Sequence, residues 1–286
     1  MDRIAMYGDS YGTYLAQSYA FRHPETLTAL VLDSAYPVRG ESGWYASLIR
    51  SGIRDYAIAC RRDPACPGDP AKRFDRFVSE LRDSGEGVGP VIDRLFSAGY
   101  GPPDSYLRLD RDAQEVLAGN VDAWRDKAAP GRATWGRVDV YSHAQELAVS
   151  CNDYPMIWDK SASEARRREL LEREIRTYPR NAFDPFTPRE VALSSKSGYL
   201  DCLTWPAPTE LYEPPAGPDE RPTDAPVLVV SGELDSVTTP HEGKLVTKLF
   251  PNAEQFIVRN AGHVDALYYP NGPAGRRIKA FLRENG

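Results

Sequence analysis

Ile4-Ala5-Met6-Tyr7-Gly8-Asp9-Ser10-Tyr11-Gly12-Thr13-Tyr14-Leu15-Ala16 is the stretch whose reading decides the fold. Its first four residues form a short apolar run that enters a glycine-flanked turn, after which Tyr14, Leu15, Ser18, Tyr19 and Phe21 recur at helical spacing. The pattern predicts a strand, a tight turn and a helix. A Gly-x-Ser-x-Gly in that setting is a nucleophile elbow, in which a strained turn exposes the serine hydroxyl and side chains at the flanking glycines would clash with the strand and helix. The alternative is a glycine-rich turn that only connects two elements. The helix should end near His23-Pro24, because a proline disfavours helical geometry in the residue before it, and Leu27 to Leu32 then reads as a second buried strand. This is a strand-helix-strand unit of a parallel sheet with a right-handed crossover.

Beyond about Val38 the chain changes to charged helical patterns, clearest over Arg73 to Leu81, Ala113 to Val116 and Ser163 to Tyr178, broken by loops rich in Gly and Pro. The proline-rich stretch Pro206 to Pro226 reads as a linker back to the core. Pro226 to Ser231 is then a buried strand, Gln255 to Val258 another, and Arg276 to Leu282 a closing amphipathic helix. No internal repeat is found. The expected class is α/β, with a sheet-bearing core at residues 1–37 and 223–286 and a helical insertion at 38–222.

A serine hydroxyl is a weak nucleophile near neutral pH and needs a base held in one tautomer by a third group. Asp235 lies in Gly232-Glu233-Leu234-Asp235 just past one strand, and His263 lies in Asn260-Ala261-Gly262-His263 just past the next. Loops at the carboxyl ends of parallel strands are where such sheets build their sites. Ser10 as nucleophile, Asp235 as acid and His263 as base is therefore the expected triad, with the Tyr11 backbone N–H at the helix start as an oxyanion donor. Glu233 is the competing carboxylate, and Asp235 could instead cap a turn. The rival histidines are His23, placed to cap a helix, and His143 and His241, expected on the surface.

The net charge of -6 and the lack of a basic stripe argue against nucleic acid as a partner. No apolar run approaches the roughly 18–20 residues that cross a bilayer, and Met1 to Tyr7 does not read as a secretory signal. Cys60, Cys66, Cys151 and Cys202 allow three pairing schemes, and none stands in the two-residue-spaced couple typical of metal sites. No metal and no cofactor is expected.

The runs Gly8 to Ala16, Ser231-Gly232-Glu233-Leu234-Asp235-Ser236-Val237-Thr238-Thr239-Pro240 and Asn260 to His263, with Cys202-Leu203-Thr204-Trp205-Pro206 between them, resemble the tripeptidyl aminopeptidase-like branch of the proline iminopeptidase relatives. The resemblance implies the α/β-hydrolase fold and serine-dependent removal of short pieces from peptide amino termini, often by secreted bacterial enzymes. Esterases and amidases share the same triad, so a carboxylesterase is an alternative. Relatives carry core strands and a His-Gly-rich oxyanion loop ahead of the elbow, so the expectation is a partial fold, the carboxy-terminal half of the sheet. Its first strand would be left as an edge, and activity would depend on a missing amino-terminal segment or a complementing chain. The cysteines fit an extracytoplasmic lid with Cys60 paired to Cys66 and Cys151 to Cys202, four reduced thiols in a cytoplasmic protein being the alternative. Asp153, in Cys151-Asn152-Asp153-Tyr154, is a candidate partner for a free peptide amino terminus, against the reading of a plain surface aspartate.

Overall fold

The computed structural model describes residues 3–39, 46–128, 142–208, 216–217 and 219–286. Two segments distant in sequence build one sheet. The first supplies β1 (Ile4–Asp9), α1 (Tyr11–Arg22) and β2 (Leu27–Asp33). The second supplies β3 (Val227–Gly232), α11 (Pro240–Thr247), β4 (Ala253–Val258), α12 (Asp265–Tyr268) and α13 (Pro273–Asn285). The strands lie in the order β1-β2-β3-β4 and every pairing is parallel. This is the expected α/β class and half-sheet.

β2 and β3 are central, and their near-continuous apolar runs reflect burial on both faces. Because successive side chains of a strand point to opposite faces, Leu30, Leu32, Val227 and Val229 pack under α1 and α11 against Tyr14, Ala20, Phe21 and Val246. Ala29, Val31, Leu228 and Val230 pack on the other face against Ala274, Ile278 and Phe281 of α13. Among the described residues β1 pairs only with β2, and Ile4 and Tyr7 remain 45% and 42% exposed.

Between β2 and β3 the described chain is helical: α2 (Ala46–Arg61), α3 (Pro70–Asp83), α4 (Gly89–Ala98), α5 (Asp104–Leu117), α6 (Val121–Ala128), α7 (His143–Asn152), α8 (Glu164–Thr177), α9 (Pro188–Ala192) and α10 (Tyr199–Leu203). These helices share a core of their own around Tyr56, Phe74, Phe77, Tyr106, Trp124 and Phe183. Disulfides join Cys60 to Cys66 and Cys151 to Cys202. Arg167 of α8 is buried and donates to the carbonyls of Lys160, Ala162, Cys202 and Trp205, so one guanidinium ties the end of α10 to α8. No described helix is long and apolar enough to cross a membrane.

The supposed linker ahead of β3 is anchored where it is described: the Thr223 amide donates to Ala20 O at 3.0 Å and its hydroxyl to Pro24 O at 2.8 Å. Residues 209–215 and 218 of that stretch, like Met1 and Asp2, lie outside the described residues.

Candidate active site

The register places the ends of all four strands at one edge, with Asp9 opposite Asp33, Asp33 opposite Val230, and Gly232 opposite Val258. The chain therefore leaves β1 into Ser10, β3 into the Asp235 loop and β4 into the His263 loop, side by side. Ser10 has φ 48° and ψ −122°, a left-handed conformation that costs a non-glycine residue about 1–3 kcal/mol and persists only where its surroundings impose it. Here the Ser10 amide is held by Asp33 O at 3.0 Å, and the Ser10 carbonyl accepts from the Thr13 amide and hydroxyl.

The two elbow glycines are not equivalent. A Cβ on Gly8 would lie 2.4 Å from Gly12 O, so strand and helix meet too closely for any side chain there. A Cβ on Gly12 would make only an ordinary 3.6 Å contact with Asp9, which corrects the expectation that both positions exclude side chains. Tyr11 is the first residue of α1, where backbone N–H groups have no intrahelical acceptor and face the positive end of the helix dipole.

Ser10 Oγ lies 2.8 Å from His263 Nε2, and His263 Nδ1 lies 3.0 Å from Asp235 Oδ2. Asp235 is fully buried and fully occupied: Oδ1 accepts from the Val237 and Thr238 amides at 2.9 and 2.8 Å, and Oδ2 also accepts from the Thr238 hydroxyl at 2.9 Å. Thr238 Oγ1 is in turn 3.1 Å from His263 Nδ1, so one threonine braces both partners. Sequence reasoning missed this residue.

The competing groups are placed elsewhere. Glu233 turns away to pair with Arg62 at 2.8 and 2.9 Å, and this contact holds its carboxyl down at about 2. His23 stacks at the end of α1 beside Tyr19, His143 is exposed and pairs with Glu146, and His241 is exposed. Asp153 is not a plain surface aspartate. It is half-buried, its Oδ2 accepts from Tyr11 Oη at 2.7 Å and its carbonyl from Tyr14 Oη at 2.9 Å. Tyr36 and Tyr154 meet hydroxyl to hydroxyl at 2.7 Å beside this pair, and stacked and edge-on rings make an aromatic wall between α1 and α7. Half-buried Lys160, just past α7, has its ammonium pushed down by burial to about 8.

Two further groups lay outside sequence reasoning. Asp33, at the end of β2, is a second buried carboxyl, pushed up to about 7 by burial, with Tyr7 Oη 3.2 Å from its Oδ2. Tyr100 comes from the lid and sets its ring edge-on to the His263 imidazole at 4.9 Å. Its neighbour Gly99 accepts from the His263 amide at 2.6 Å, and a Cβ on Gly262 would be 2.5 Å from that same carbonyl. The lid is thus packed backbone to backbone against the base loop. Neither residue belongs to a motif, which is why spacing alone could not find them.

Residues 191–286, which contain Asp235 and His263, match the family model described as TAP-like protein. Over that carboxy-terminal third the chain is similar to TAP-like proteins. Serine protease Hip1 of Mycobacterium tuberculosis is 25% identical over 275 residues, an alignment covering 83% of this chain and 48% of that protein, and Hip1 of Mycobacterium bovis gives the same figures. The chain spans about half the length of the curated relatives it matches. Among solved structures, proline iminopeptidase of Mycobacterium smegmatis is 15% identical, aligned over 100% of this chain and 66% of its own, with a TM-score of 0.36. MGS-M2, an α/β hydrolase from a deep-sea metagenome library, is 14% identical over 98% of this chain and 65% of its own, with a TM-score of 0.38.

Proposed function

We propose that this chain is a serine hydrolase that works through an acyl-enzyme and takes peptides by their free amino termini. The observation that carries the reading is the continuous relay from Ser10 Oγ through the two nitrogens of His263 to Asp235, at 2.8 and 3.0 Å. In the proposed reaction Ser10 Oγ forms a bond to the scissile carbonyl carbon while His263 Nε2 takes its proton. The carbonyl electron pair moves onto oxygen, where the Tyr11 N–H and the start of α1 stabilise it. Collapse breaks the bond to the leaving amine, which receives the proton from Nε2, and water repeats the sequence on the ester. Asp235 accepts the Nδ1–H and keeps the imidazole in the tautomer that can accept at Nε2.

Exopeptidase selectivity rests on Asp153. Its carboxylate is tethered to Tyr11, the residue after the nucleophile, so an ammonium bound there would place the first residues of a peptide beside Ser10. The relative described as serine protease Hip1 supports a peptide substrate over an ester. Two disulfides support an oxidising, extracytoplasmic location. A second reading, that the sheet reaches full activity only when a further strand is laid on β1, from an upstream segment or another chain, is favoured by the unpaired outer edge of β1 among the described residues.

Labelling with a fluorophosphonate tests the nucleophile: the adduct should map to the peptide containing Ser10 and vanish in Ser10→Ala. An adduct on Ser231 or Ser236 would refute the assignment. The specificity is tested by Asp153→Asn, which should lower kcat/KM at least about tenfold on peptide p-nitroanilides with a free amino terminus while sparing their acetylated counterparts. Equal effects on both would leave the esterase alternative standing.

A further inference from the structure

The acid and base loops must keep a relative position good to about 0.5 Å, and much of what joins them is backbone. The Leu234 amide donates to Ala261 O at 2.9 Å, the Glu233 amide to Val258 O at 2.9 Å, and a Cβ on Gly232 would lie 2.2 Å from Gly262 O. These contacts fix how closely the loops approach. With the β3–β4 register they also fix the strands against sliding, and at the loop tips beyond them Glu233 and Asn260 add a side-chain link between the two loops. Asn260 has φ 58°, a conformation in which asparagine is among the tolerated residues and which still needs outside support.

That support comes from the lid. Arg62, directly after α2, places Nη1 2.8 Å from Glu233 Oε2 and Nη2 2.9 Å from Oε1, a two-pronged contact, and Nη1 also donates to Asn260 Oδ1. The carboxylate completes the ring by accepting the Asn260 amide at 2.9 Å. One guanidinium therefore touches the loop of Asp235 two residues before the acid and the loop of His263 three residues before the base. Arg62 is itself held. It sits in the loop that Cys60 and Cys66 close, where the Arg62 amide donates to Ala59 O, the Asp63 amide to Cys60 O and the Cys66 amide to Asp63 O.

We propose that Arg62 is a positioning residue, a lid cation presented by a disulfide-closed loop that pins the acid loop to the base loop and so holds Asp235 and His263 in register. It rests on the proposed function in that the pair it holds is the one assigned to catalysis. A lone exposed ion pair does little, and Arg62 is exposed, but its contact is bidentate and is shared with a backbone amide and a side-chain amide. Arg62 holds the Glu233 carboxyl down at about 2, so the pair stays charged throughout the range where a serine hydrolase works.

The test uses the full chain with Arg62→Gln, Arg62→Lys, Glu233→Gln and the Arg62→Gln/Glu233→Gln double variant. Arg125→Gln, which removes a lid guanidinium paired with Glu86 and Asp122 and touching neither loop, serves as control. Two readouts are taken: kcat and KM on p-nitrophenyl acetate, and the imidazole resonance of His263 through a pH titration. That resonance is assigned among the four histidines by its loss in His263→Asn. Arg62→Gln should lower kcat about tenfold or more with KM within twofold, and should broaden or shift the His263 resonance and move its titration. Arg62→Lys, which keeps the charge but not the fork, should recover part of both. The double variant should be no worse than the worse single variant, because the two residues act as one unit. Thermal midpoints should stay close to that of Arg125→Gln. If His263 titrates identically in Arg62→Gln and the parent, the proposal is overturned whatever the activities. If the parent neither labels nor turns over but its His263 resonance depends on Arg62, the positioning role stands and the hydrolase reading falls instead. A kcat loss matched by an equal loss in Arg125→Gln would also overturn it, since the effect would then be general lid loosening.

Discussion

Asp235→Asn isolates what the acid contributes, because the structure dictates which way the amide must face. Oδ1 accepts from two buried backbone amides, of Val237 and Thr238. Turning the asparagine NH2 toward them would leave two donors unsatisfied at about 1–3 kcal/mol each, so the flipped rotamer is disfavoured by about 2–6 kcal/mol. The amide oxygen therefore takes the Oδ1 position and the NH2 takes that of Oδ2, 3.0 Å from His263 Nδ1. A donor there forces Nδ1 to accept and puts the ring proton on Nε2. Ser10 Oγ, 2.8 Å from Nε2, then faces a donor and has no base. The expected loss in kcat is about ten-thousand-fold, or about 5.4 kcal/mol of transition-state stabilisation, with the unfolding midpoint changed far less. The assay is p-nitrophenyl acetate turnover alongside the rate of fluorophosphonate labelling, both of which need the same activated hydroxyl. A variant that retains a tenth or more of parental activity would refute the tautomer argument. Should Asp235→Asn be mild and Asp235→Asn/Asp33→Asn severe, the buried carboxyl at the end of β2 would be serving as the acid.

Cys151→Ser/Cys202→Ser opens a loop of sequence separation 51 and should destabilise the fold by roughly 4 kcal/mol in the chain-entropy view, read as a lower urea midpoint. Arg167→Ala strands the carbonyls of Lys160, Ala162, Cys202 and Trp205 and should lower that midpoint as well, by about 3 kcal/mol or more, while Arg168→Ala, whose partner is the exposed Glu164, should leave it nearly unchanged. Stability should also depend on pH with a definite sign. Burial pushes Asp33, Asp55 and Glu242 up to about 7 from their ordinary 3.8, 3.8 and 4.5, so between those values the folded chain holds protons that the unfolded chain has released. Unfolding free energy should therefore fall as pH rises from about 4.5 to 7, and a rise across that window would contradict it. Glu233, held at about 2, contributes with the opposite sign and only below 4.5.

The elements legible in the sequence are those set by neighbours along the chain. Ile4 to Leu32 read as strand, turn, helix and strand because apolar run length, helical periodicity and the His23-Pro24 stop are local signals, and the observed bounds differ by only a residue or two. The same holds for β3 and for β4, which begins two residues earlier than expected, at Ala253. In the lid α3 and α5 extend past the predicted cores, α3 with its first turn set by the Asp69 cap on the amides of Ala71 and Lys72, while α8 falls just inside the predicted Ser163 to Tyr178. Glu233 could not be excluded by spacing, since two carboxylates two residues apart in one loop differ only in which way the loop turns them.

That Ser10, Asp235 and His263 would come together was legible from residue type and place after a strand, because a parallel sheet delivers each strand's following loop to the same edge. What surrounds them was decided by tertiary structure alone. Thr238 between acid and base, Tyr100 against the imidazole, Asp153 on Tyr11 and Arg62 across both loops join residues brought together by sheet register and by the packing of the lid core. Backbone preference and hydrophobic period act over a few residues and leave their mark in the sequence. A contact such as that between Arg62 and Asn260, 198 positions apart, has no local signature, because it exists only once two separately packed bodies have settled against each other.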